Sequence, residues 1–291
     1  MLDSIPLPVR EGAASQLKSV KVQSFSPVSG GCINHGGKLT TTGGDFFIKW
    51  NDSKVFPLMF EKEAKGLRLL LGTQAIRVIE VIGFGEATDY QFILLEWINS
   101  APKAENFWTL LGQRLAALHG HTSSSFGLDH DNYIGSLRQY NPPATSWTDF
   151  FIHQRLEPQI RLATDNHLPV QSLRKKLEAF YKKLPGLLPE EPPSLLHGDL
   201  WGGNLLADEK GSPVLIDPAV YFGHREAELA YTHLFGHFDP LFYQTYEESY
   251  PLKPGFLQRA DIYNLYPLLV HVNLFGGVYV QKSEAIVSRY V

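Results

Sequence analysis

The stretch LLHGDLWGGNLL, from Leu195 to Leu206, decides the fold that we expect for this chain. It places Asn204 five residues after Asp199, with glycines in between that let the backbone turn tightly. A further acid, Asp217, comes directly after the apolar run Val214-Leu215-Ile216, which is typical of a short buried strand. We expect the loop and the strand end to direct these three polar side chains toward one point.

Two acids and an amide in this order are typical of a kinase-type phosphotransferase. Asp199 would accept the proton of an acceptor hydroxyl, while Asn204 and Asp217 would hold the magnesium ion that bridges the nucleotide phosphates. Carboxylate and amide oxygens are the hard ligands that magnesium prefers. Because His-Gly-Asp alone is common in turns, the interpretation depends on the joint presence of Asn204, Asp217 and strand-like flanks.

The composition limits the other classes of protein. The chain has 291 residues, 44% of them hydrophobic and 19% charged, which is ordinary for a folded protein with room for two lobes. Its formal net charge of −4 offers no basic field for nucleic acid or a membrane surface. The single cysteine, Cys32, excludes an internal disulfide, and we see no signal-peptide or membrane-span pattern. We expect a cytoplasmic protein without nucleic-acid or membrane partners.

The first third of the chain is rich in strand patterns. We predict strands at about 22–28, 38–42, 46–50, 78–84 and 91–98, with one helix at about 57–71 between the two groups. This order resembles the small lobe of protein-kinase-like enzymes. We therefore expect an α+β, two-lobed fold. Residues 1–98 would form a nucleotide lobe with an antiparallel sheet and one helix, and residues 99–291 a mainly helical lobe with the catalytic loop and acceptor pocket.

Lys49 lies in an apolar strand, where a kinase-type lysine contacts the nucleotide phosphates and is held by a helix glutamate. Glu61 and Glu63 are the two candidates for that glutamate. At 100° per residue, Glu63 falls beside the apolar face of the helix and Glu61 is turned away, so we predict a Lys49–Glu63 pair. The alternative is that both residues are ordinary surface charges.

Glycines upstream of Lys49 indicate a loop over the phosphates. The segment 29–34 reads SGGCIN, which matches neither G-x-G-x-x-G nor the P-loop pattern, so only its position supports this assignment. Cys32 would be a redox-sensitive thiol if the loop lowered its pKa, although a buried apolar role is the commoner one. The nucleotide-contacting residues predicted here are Gly30, Gly31, Cys32, Ile33 and Asn34.

The end of the last strand in this region is expected to contact the adenine. Chain order, and no motif, places this hinge at Glu96, Trp97 and Ile98, directly before Asn99 and Ser100. Their backbone N–H and carbonyl groups would meet the adenine edge.

The rest of the chain is mainly helical in pattern. We predict helices from Phe107 to about His119, at about 147–164 and at about 170–184, and a further helix after Gly223. The aromatic segment 265–280 suits a sugar-binding wall, and we assign Trp201, His271 and Asn273 to the acceptor.

Histidines at helical spacing suggest a metal site that we do not favour. His233 and His237 share a helical face, but a metalloprotease-type site needs a glutamate where Leu234 stands. His197 is instead expected to orient the catalytic loop through a hydrogen bond.

Taken together, these motifs resemble the fructosamine/ketosamine 3-kinase family, which is related to aminoglycoside phosphotransferases and choline kinases. The resemblance covers nearly the whole chain, and its segments are GGCIN at 30–34, FIK ending at Lys49, MFEKEAKGL at 59–67, DNYIG at 131–135, HGDLWGGN at 197–204 and DPAVYFGHREAE at 217–228. One departure is Glu228, where relatives often carry aspartate; it puts the support of the catalytic loop in question.

The resemblance implies ATP-dependent phosphorylation of a ketosamine hydroxyl, on a free amine or on a glycated protein lysine, in the service of deglycation. It makes Asp199 the base, Asn204 and Asp217 the magnesium ligands, and Lys49 and Glu63 the pair that positions the phosphates, with ATP and Mg²⁺ as cofactors. An aminoglycoside or choline kinase is the alternative, although those pockets need several acids or an aromatic cage. A catalytically silent nucleotide-binding module is a further alternative, which the intact set of motif residues disfavours.

Overall fold

The structure is a computed structural model that describes residues 2–17, 20–28 and 34–291. Contacts divide the chain into two compact units. The first unit consists of Met1–Phe107 and Leu205–Pro218, and the second of Trp108–Asn204 and Ala219–Val291. Asn204 therefore ends a segment of the second unit, and Asp217 belongs to the first. The functional division after Ile98 stays a prediction.

An antiparallel sheet forms the centre of the first unit. Its strands are β1 (Val22–Pro27), β2 (His35–Thr41), β3 (Gly44–Asp52), β4 (Val81–Ala87) and β5 (Tyr90–Glu96), in the order β1-β2-β3-β5-β4. The hairpin between β2 and β3 turns at Gly44, whose φ of +122° favours glycine. Lys49 lies in β3 opposite Ile93 of β5, in a register that buries the apolar side chains of both strands.

Two helices accompany this sheet, α1 (Leu7–Gln16) and α2 (Met59–Gly72). The sequence pattern predicted only α2. Helix α1 was not predicted, because the side chains that it buries, Val9 and Ala13, are small and give a weak apolar pattern. Helix α2 lies where it was predicted, and Leu71 near its C-terminal end is exposed.

The expected strand at 78–84 begins later than its sequence pattern suggested. Strand β4 starts at Val81, whereas Val78 forms a parallel bridge with Leu215. The Leu215 N–H donates to the carbonyl of Arg77, and the Ile79 N–H donates to the carbonyl of Leu215. An apolar run alone does not distinguish these two arrangements, because both bury their side chains.

Six short strands follow the sheet along the chain, four of them between residues 194 and 223. They are β6 (Asn132–Ile134), β7 (Leu137–Gln139), β8 (Ser194–Leu196), β9 (Leu205–Ala207), β10 (Pro213–Leu215) and β11 (Tyr221–Gly223). The antiparallel pairs are β6 with β7, β8 with β11 and β9 with β10. Strand β8 ends directly before His197, and β10 ends two residues before Asp217. Both predicted catalytic segments thus leave the ends of short paired strands.

Helices make up most of the second unit. They are α3 (Phe107–His119), α4 (Trp147–Phe150), α5 (Glu157–Asp165), α6 (Gln171–Tyr181), α7 (Leu184–Leu187), α8 (Arg225–Leu234), α9 (Pro240–Ser249), α10 (Phe256–Tyr263), α11 (Leu265–Phe275) and α12 (Val278–Ser288). A π-helical segment, Phe151–Leu156, joins α4 to α5, so the helix predicted at 147–164 is continuous but changes its pitch.

The core of the second unit is aromatic and aliphatic, with Trp147, Phe150, Leu196 and Leu265 among its buried side chains. None of the helices in the described part of the chain has both the length and the apolar character that a membrane crossing requires.

Candidate active site

Lys49 lies between two carboxylates in the first unit. Its Nζ is 2.7 Å from Glu63 Oε1 and 2.8 Å from Asp217 Oδ1. The side chains of Lys49 and Glu63 are only 8% and 12% exposed, while that of Asp217 is 45% exposed. Burial lowers the pKa of Lys49, but the two carboxylates outweigh it and raise the pKa above its ordinary value. Lys49 therefore remains a fixed positive charge beside an accessible acid.

The predicted Lys49–Glu63 pair is present, and Glu61 has a different partner. Glu61 Oε1 lies 2.7 Å from Lys65 Nζ, one helical turn away, and both of these side chains are more than a third exposed. The two glutamates of α2 therefore face in different directions, as the helical angle between them requires.

Asp217 has an unusual backbone conformation. Its φ is +51°, in the left-handed region that aspartate adopts more readily than most residues with a side chain. This turn follows β10 within two residues, and it leaves the carboxylate half-exposed while Oδ1 accepts a hydrogen bond from Lys49.

The loop of the second unit joins Asp199 to Asn204. The Asn204 Nδ2 donates to both the carboxylate Oδ2 and the backbone carbonyl of Asp199, each at 2.9 Å. Two hydrogen bonds fix the amide nitrogen on Asp199, so the amide oxygen is the atom with which Asn204 would bind a hard cation.

Glu228 of α8 supports the start of this loop. Its Oε1 accepts the Gly198 N–H at 2.6 Å, and its Oε2 accepts the His197 N–H at 3.1 Å. The buried ring of His119 reaches the same Oε2 at 3.0 Å. Burial raises the pKa of Glu228, but these donors outweigh it and hold the pKa below its usual range. Glu228, the departure noted in the sequence, therefore supports the loop.

His197 also acts within the loop. It is fully buried, and its Nδ1 accepts the Asp199 N–H at 3.3 Å. The prediction that His197 orients the loop by a hydrogen bond is confirmed.

A cavity of about 360 Å³ in the second unit is lined in part by Asp199. Aromatic side chains dominate its wall. They come from the segment after α4, from the catalytic loop, from β11, from α8 and the residue after it, and from α10, α11 and α12. They are Phe151, Trp201, Tyr221, Tyr231, Phe235, Tyr263, Tyr266, Phe275 and Tyr279. Such a wall suits a small ligand that packs its carbon skeleton against rings and places one polar group at Asp199.

Two of the three predicted acceptor contacts line the cavity, and the third does not. Trp201, which is 41% exposed, and His271 both line the cavity. Burial lowers the pKa of His271, and its Nδ1 lies 2.7 Å from the carbonyl of Pro267. Asn273 is not among the lining residues: its Nδ2 donates to Gln159, at 2.8 Å from Oε1. The structure thus gives Asn273 a link between α11 and α5.

Part of the predicted nucleotide site cannot be placed. Gly30, Gly31, Cys32 and Ile33 lie outside the described residues. Asn34 is described, and its Oδ1 accepts a hydrogen bond from Asn51 Nδ2 at 2.7 Å. The proposed contacts of this segment with phosphates stay predictions.

At the expected hinge, the side chains of Glu96 and Trp97 already have partners in the first unit. Glu96 accepts from the Glu80 N–H at 2.9 Å and pairs with Arg77 at 3.2 Å. The indole N–H of Trp97 donates to Asn99 Oδ1 at 3.1 Å. A contact of Glu96, Trp97 or Ile98 with adenine would therefore come from the backbone N–H and carbonyl groups, as predicted from the sequence.

Gly198 is the glycine of the catalytic loop that the backbone requires. Its φ is +84°, and a Cβ there would come 2.0 Å from the carbonyl oxygen of Ala219. At Gly202, by contrast, φ is not positive and an added Cβ would meet nothing within 4 Å. Of these two loop glycines, only Gly198 is required for steric reasons.

We expect Gly198→Ala to lower the free energy of unfolding by about 3 kcal/mol, through backbone strain and a steric clash. The matched variant Gly202→Ala should change it by less than about 1 kcal/mol. Urea unfolding followed by circular dichroism measures both. Equal stability of the two variants would contradict the backbone conformation described for Gly198.

With the geometry in place, comparison with known proteins identifies the family. The profile of the fructosamine kinase family matches residues 8–291. The chain belongs to this family. It is 39% identical over 278 residues to a probable ketoamine kinase of Synechocystis sp., a match that covers 92% of this chain and 90% of that protein. It is 36% identical over 289 residues to the chloroplastic protein-ribulosamine 3-kinase of Arabidopsis thaliana, covering 98% and 87% of the two chains.

Solved structures agree with the family assignment. The crystal structure of a candidate fructosamine-3-kinase from Haemophilus somnus has a TM-score of 0.88 at 29% identity and covers 98% of this chain and 97% of its own. An aminoglycoside phosphotransferase in ternary complex with ADP and hygromycin B has a TM-score of 0.62 at 19% identity, covering 96% and 98%, which shows the fold alone. The predicted α+β, kinase-like fold is thus confirmed. The predicted enzyme class, a phosphotransferase with an alcohol group as acceptor, is also confirmed for this fructosamine kinase family member.

Proposed function

We propose that this fructosamine kinase family member transfers the γ-phosphoryl group of ATP to a hydroxyl of a ketosamine. The observation that carries the proposal is that Asp199 lines a ligand-sized aromatic cavity and accepts a hydrogen bond from Asn204. The names of the similar proteins, a ketoamine kinase and a protein-ribulosamine 3-kinase, support a ketosamine as the acceptor.

Asp199 is the proposed general base. A carboxylate within the cavity can accept the proton of an acceptor hydroxyl as the hydroxyl oxygen attacks the phosphorus atom. Hydrogen bonds from Asn204 to Asp199 and from the loop backbone to Glu228 hold the base in place before the acceptor binds. The protein thus contributes mainly by positioning, as phosphoryl transfer requires.

Lys49 and Glu63 are the proposed phosphate-positioning pair. Lys49 keeps its charge because Glu63 and Asp217 compensate for its burial. A buried ammonium with two carboxylate neighbours has little freedom to move, and so it presents a fixed charge to the α- and β-phosphates.

Asn204 and Asp217 are each proposed as magnesium ligands. The donor chemistry fits: an amide oxygen and a half-exposed carboxylate are hard ligands, and phosphates and water would complete the coordination. When bound, magnesium would neutralise the negative charge of the phosphates.

The chemistry of the cavity supports a ketosamine over an aminoglycoside. Among the described residues that line it, the acids are Asp199 and Glu228, and Glu228 is committed to the loop backbone. A polycationic aminoglycoside needs more negative charge than one carboxylate provides. A ketosamine offers hydroxyls and a single amine, which Asp199 and the aromatic faces can accommodate.

We propose that the acceptor is a ketosamine on a free amine or on a glycated protein lysine, and that the protein acts in the cytoplasm. The location is tested by fractionating the source cells and immunoblotting each fraction. Recovery of the protein in a fraction other than the cytoplasm would contradict that part of the proposal.

The function is tested by coupled ADP release over a panel of ribulose-, erythrulose- and fructose-derived amines. We expect turnover with at least one ketosamine, and we expect turnover with kanamycin and choline to be more than about 100-fold lower in kcat/KM, because the cavity lacks their charge partners. EDTA should abolish the reaction, and added Mg²⁺ should restore it. Turnover of kanamycin or choline above that of every ketosamine would overturn the proposal.

A further inference from the structure

One face of α8 reaches the catalytic loop with two side chains. Glu228 accepts the N–H groups of His197 and Gly198. Tyr231 follows three residues later, and residues at that spacing lie on the same side of a helix. Both line the cavity that contains Asp199. The helix that fixes the backbone before Asp199 therefore also places a phenol close to its carboxylate.

The surroundings of Tyr231 hold its hydroxyl at this carboxylate. Its ring packs edge-on against Phe235, one turn later in the chain, with centroids 5.9 Å apart. Burial, the Asp199 charge and a hydrogen bond between the two groups all raise the pKa of Tyr231. The phenol thus stays protonated throughout the working range of pH, and a protonated phenol beside a carboxylate is a donor.

Tyr266 is the other phenol near Asp199, and its proton is directed elsewhere. Its hydroxyl donates to Gln139 Oε1 at 2.8 Å, and Gln139 is itself buried. A hydroxyl has one proton to donate, so Tyr266 has already used its own. Tyr231, by contrast, forms its hydrogen bond with Asp199.

We propose that Tyr231 is a positioning residue for the base, donating its phenol hydrogen bond to the Asp199 carboxylate. This inference rests on the proposed function, in which Asp199 accepts the proton of the acceptor. Asn204 donates to Asp199 Oδ2 and Tyr231 supplies a second side-chain donor. Two donors restrict the rotation of a carboxylate, and a fixed orientation is what general-base catalysis requires.

The variant Tyr231→Phe removes the donor and keeps the ring. Hydrogen bonds to charged groups contribute roughly 1.5–3 kcal/mol, which corresponds to a decrease in kcat of about 10- to 100-fold. The KM for ATP should stay within about twofold of wild type. The KM for the ketosamine should also stay within about twofold, because the phenol acts on the orientation of the base and not on ground-state binding. A purely structural role would change kcat and both KM values together.

Tyr243→Phe is the matched control. Tyr243 bonds to Thr232 at 3.1 Å and is not among the residues lining the cavity, so removing its hydroxyl tests the general cost of losing a phenol contact. Its kcat and both KM values should match wild type. Tyr231→Met serves as a second variant without a donor if Tyr231→Phe does not fold, and Tyr231→His, which retains a donor, should recover part of kcat.

The outcomes separate this inference from the proposed function. If the wild type turns over no ketosamine, the function fails before Tyr231 is tested. If the wild type is active and Tyr231→Phe, or Tyr231→Met in its place, keeps the wild-type kcat or raises the KM values as much as it lowers kcat, the role of Tyr231 is refuted. A fall in kcat at unchanged KM that is confined to the Tyr231 variants supports it.

Discussion

Replacing Asp199 by asparagine is expected to lower kcat by about 10³-fold and to leave the affinity for ATP near that of wild type. General-base catalysis contributes roughly 10²- to 10⁴-fold, and asparagine lacks the basic oxygen that accepts the proton. In the structure Asp199 lies in the cavity, whereas the Lys49 group that would contact phosphates belongs to the first unit. The change should therefore act on the acceptor and spare the nucleotide. Coupled ADP release and calorimetry with ATP measure the two quantities.

Asp165→Asn is a suitable control for that variant, because Asp165 is an exposed acid at the end of α5 and makes the same change of charge. It should keep wild-type kcat. Wild-type turnover in Asp199→Asn would remove Asp199 from the role of base. A parallel loss of ATP affinity would instead assign Asp199 to nucleotide binding.

The paired contacts of the first unit were largely predictable from the sequence. The helical angle between Glu61 and Glu63 was sufficient to choose the partner of Lys49, because α2 is a regular helix packed on the sheet. The contact of Asp217 with Lys49 was not predicted, because it depends on the left-handed turn at Asp217 and on the path of the chain after β10.

The cavity was much harder to predict. Its wall draws residues from β11, α8, α10, α11 and α12, and contacts between elements so distant in sequence leave no local pattern. An aromatic residue on a helix is most often part of the core, so nothing local distinguished Tyr231 from Tyr263. One available signal was spacing: Tyr231 stands one helical turn after Glu228, which the motif had already placed beside the loop.

Asn273 shows why a polar side chain in an aromatic helix is weak evidence for ligand binding. His271 and Asn273 are two residues apart on α11, about 200° around the helix axis, so they face in different directions. His271 meets the cavity, whereas Asn273 meets Gln159 of α5. The helical period therefore argued against assigning both residues to one ligand.

Asp217→Ala is expected to lower the affinity for Mg²⁺-ATP by about 10- to 100-fold, the contribution of a contact with a charged group. The affinity for ATP without magnesium should instead increase. Without Asp217, Lys49 keeps Glu63 from the pair of carboxylates described above. More of the positive charge of Lys49 then becomes available to the phosphates. Calorimetry with ATP in excess Mg²⁺ and in EDTA separates the two effects, and kcat/KM should fall by more than about 100-fold.

Asp217→Asn distinguishes this effect from backbone strain. Asparagine tolerates the φ of +51° at this position, whereas alanine does not tolerate it well, so only Asp217→Ala should also lose stability to strain. Both variants remove the negative charge, and both should therefore weaken Mg²⁺-ATP binding while strengthening the binding of ATP in EDTA. An equal loss under the two conditions would mean that Asp217 serves the nucleotide directly, and its assignment as a magnesium ligand would be wrong. A loss in Asp217→Ala that is absent in Asp217→Asn would mean that the turn, and no ionic contact, is what the reaction needs from this residue.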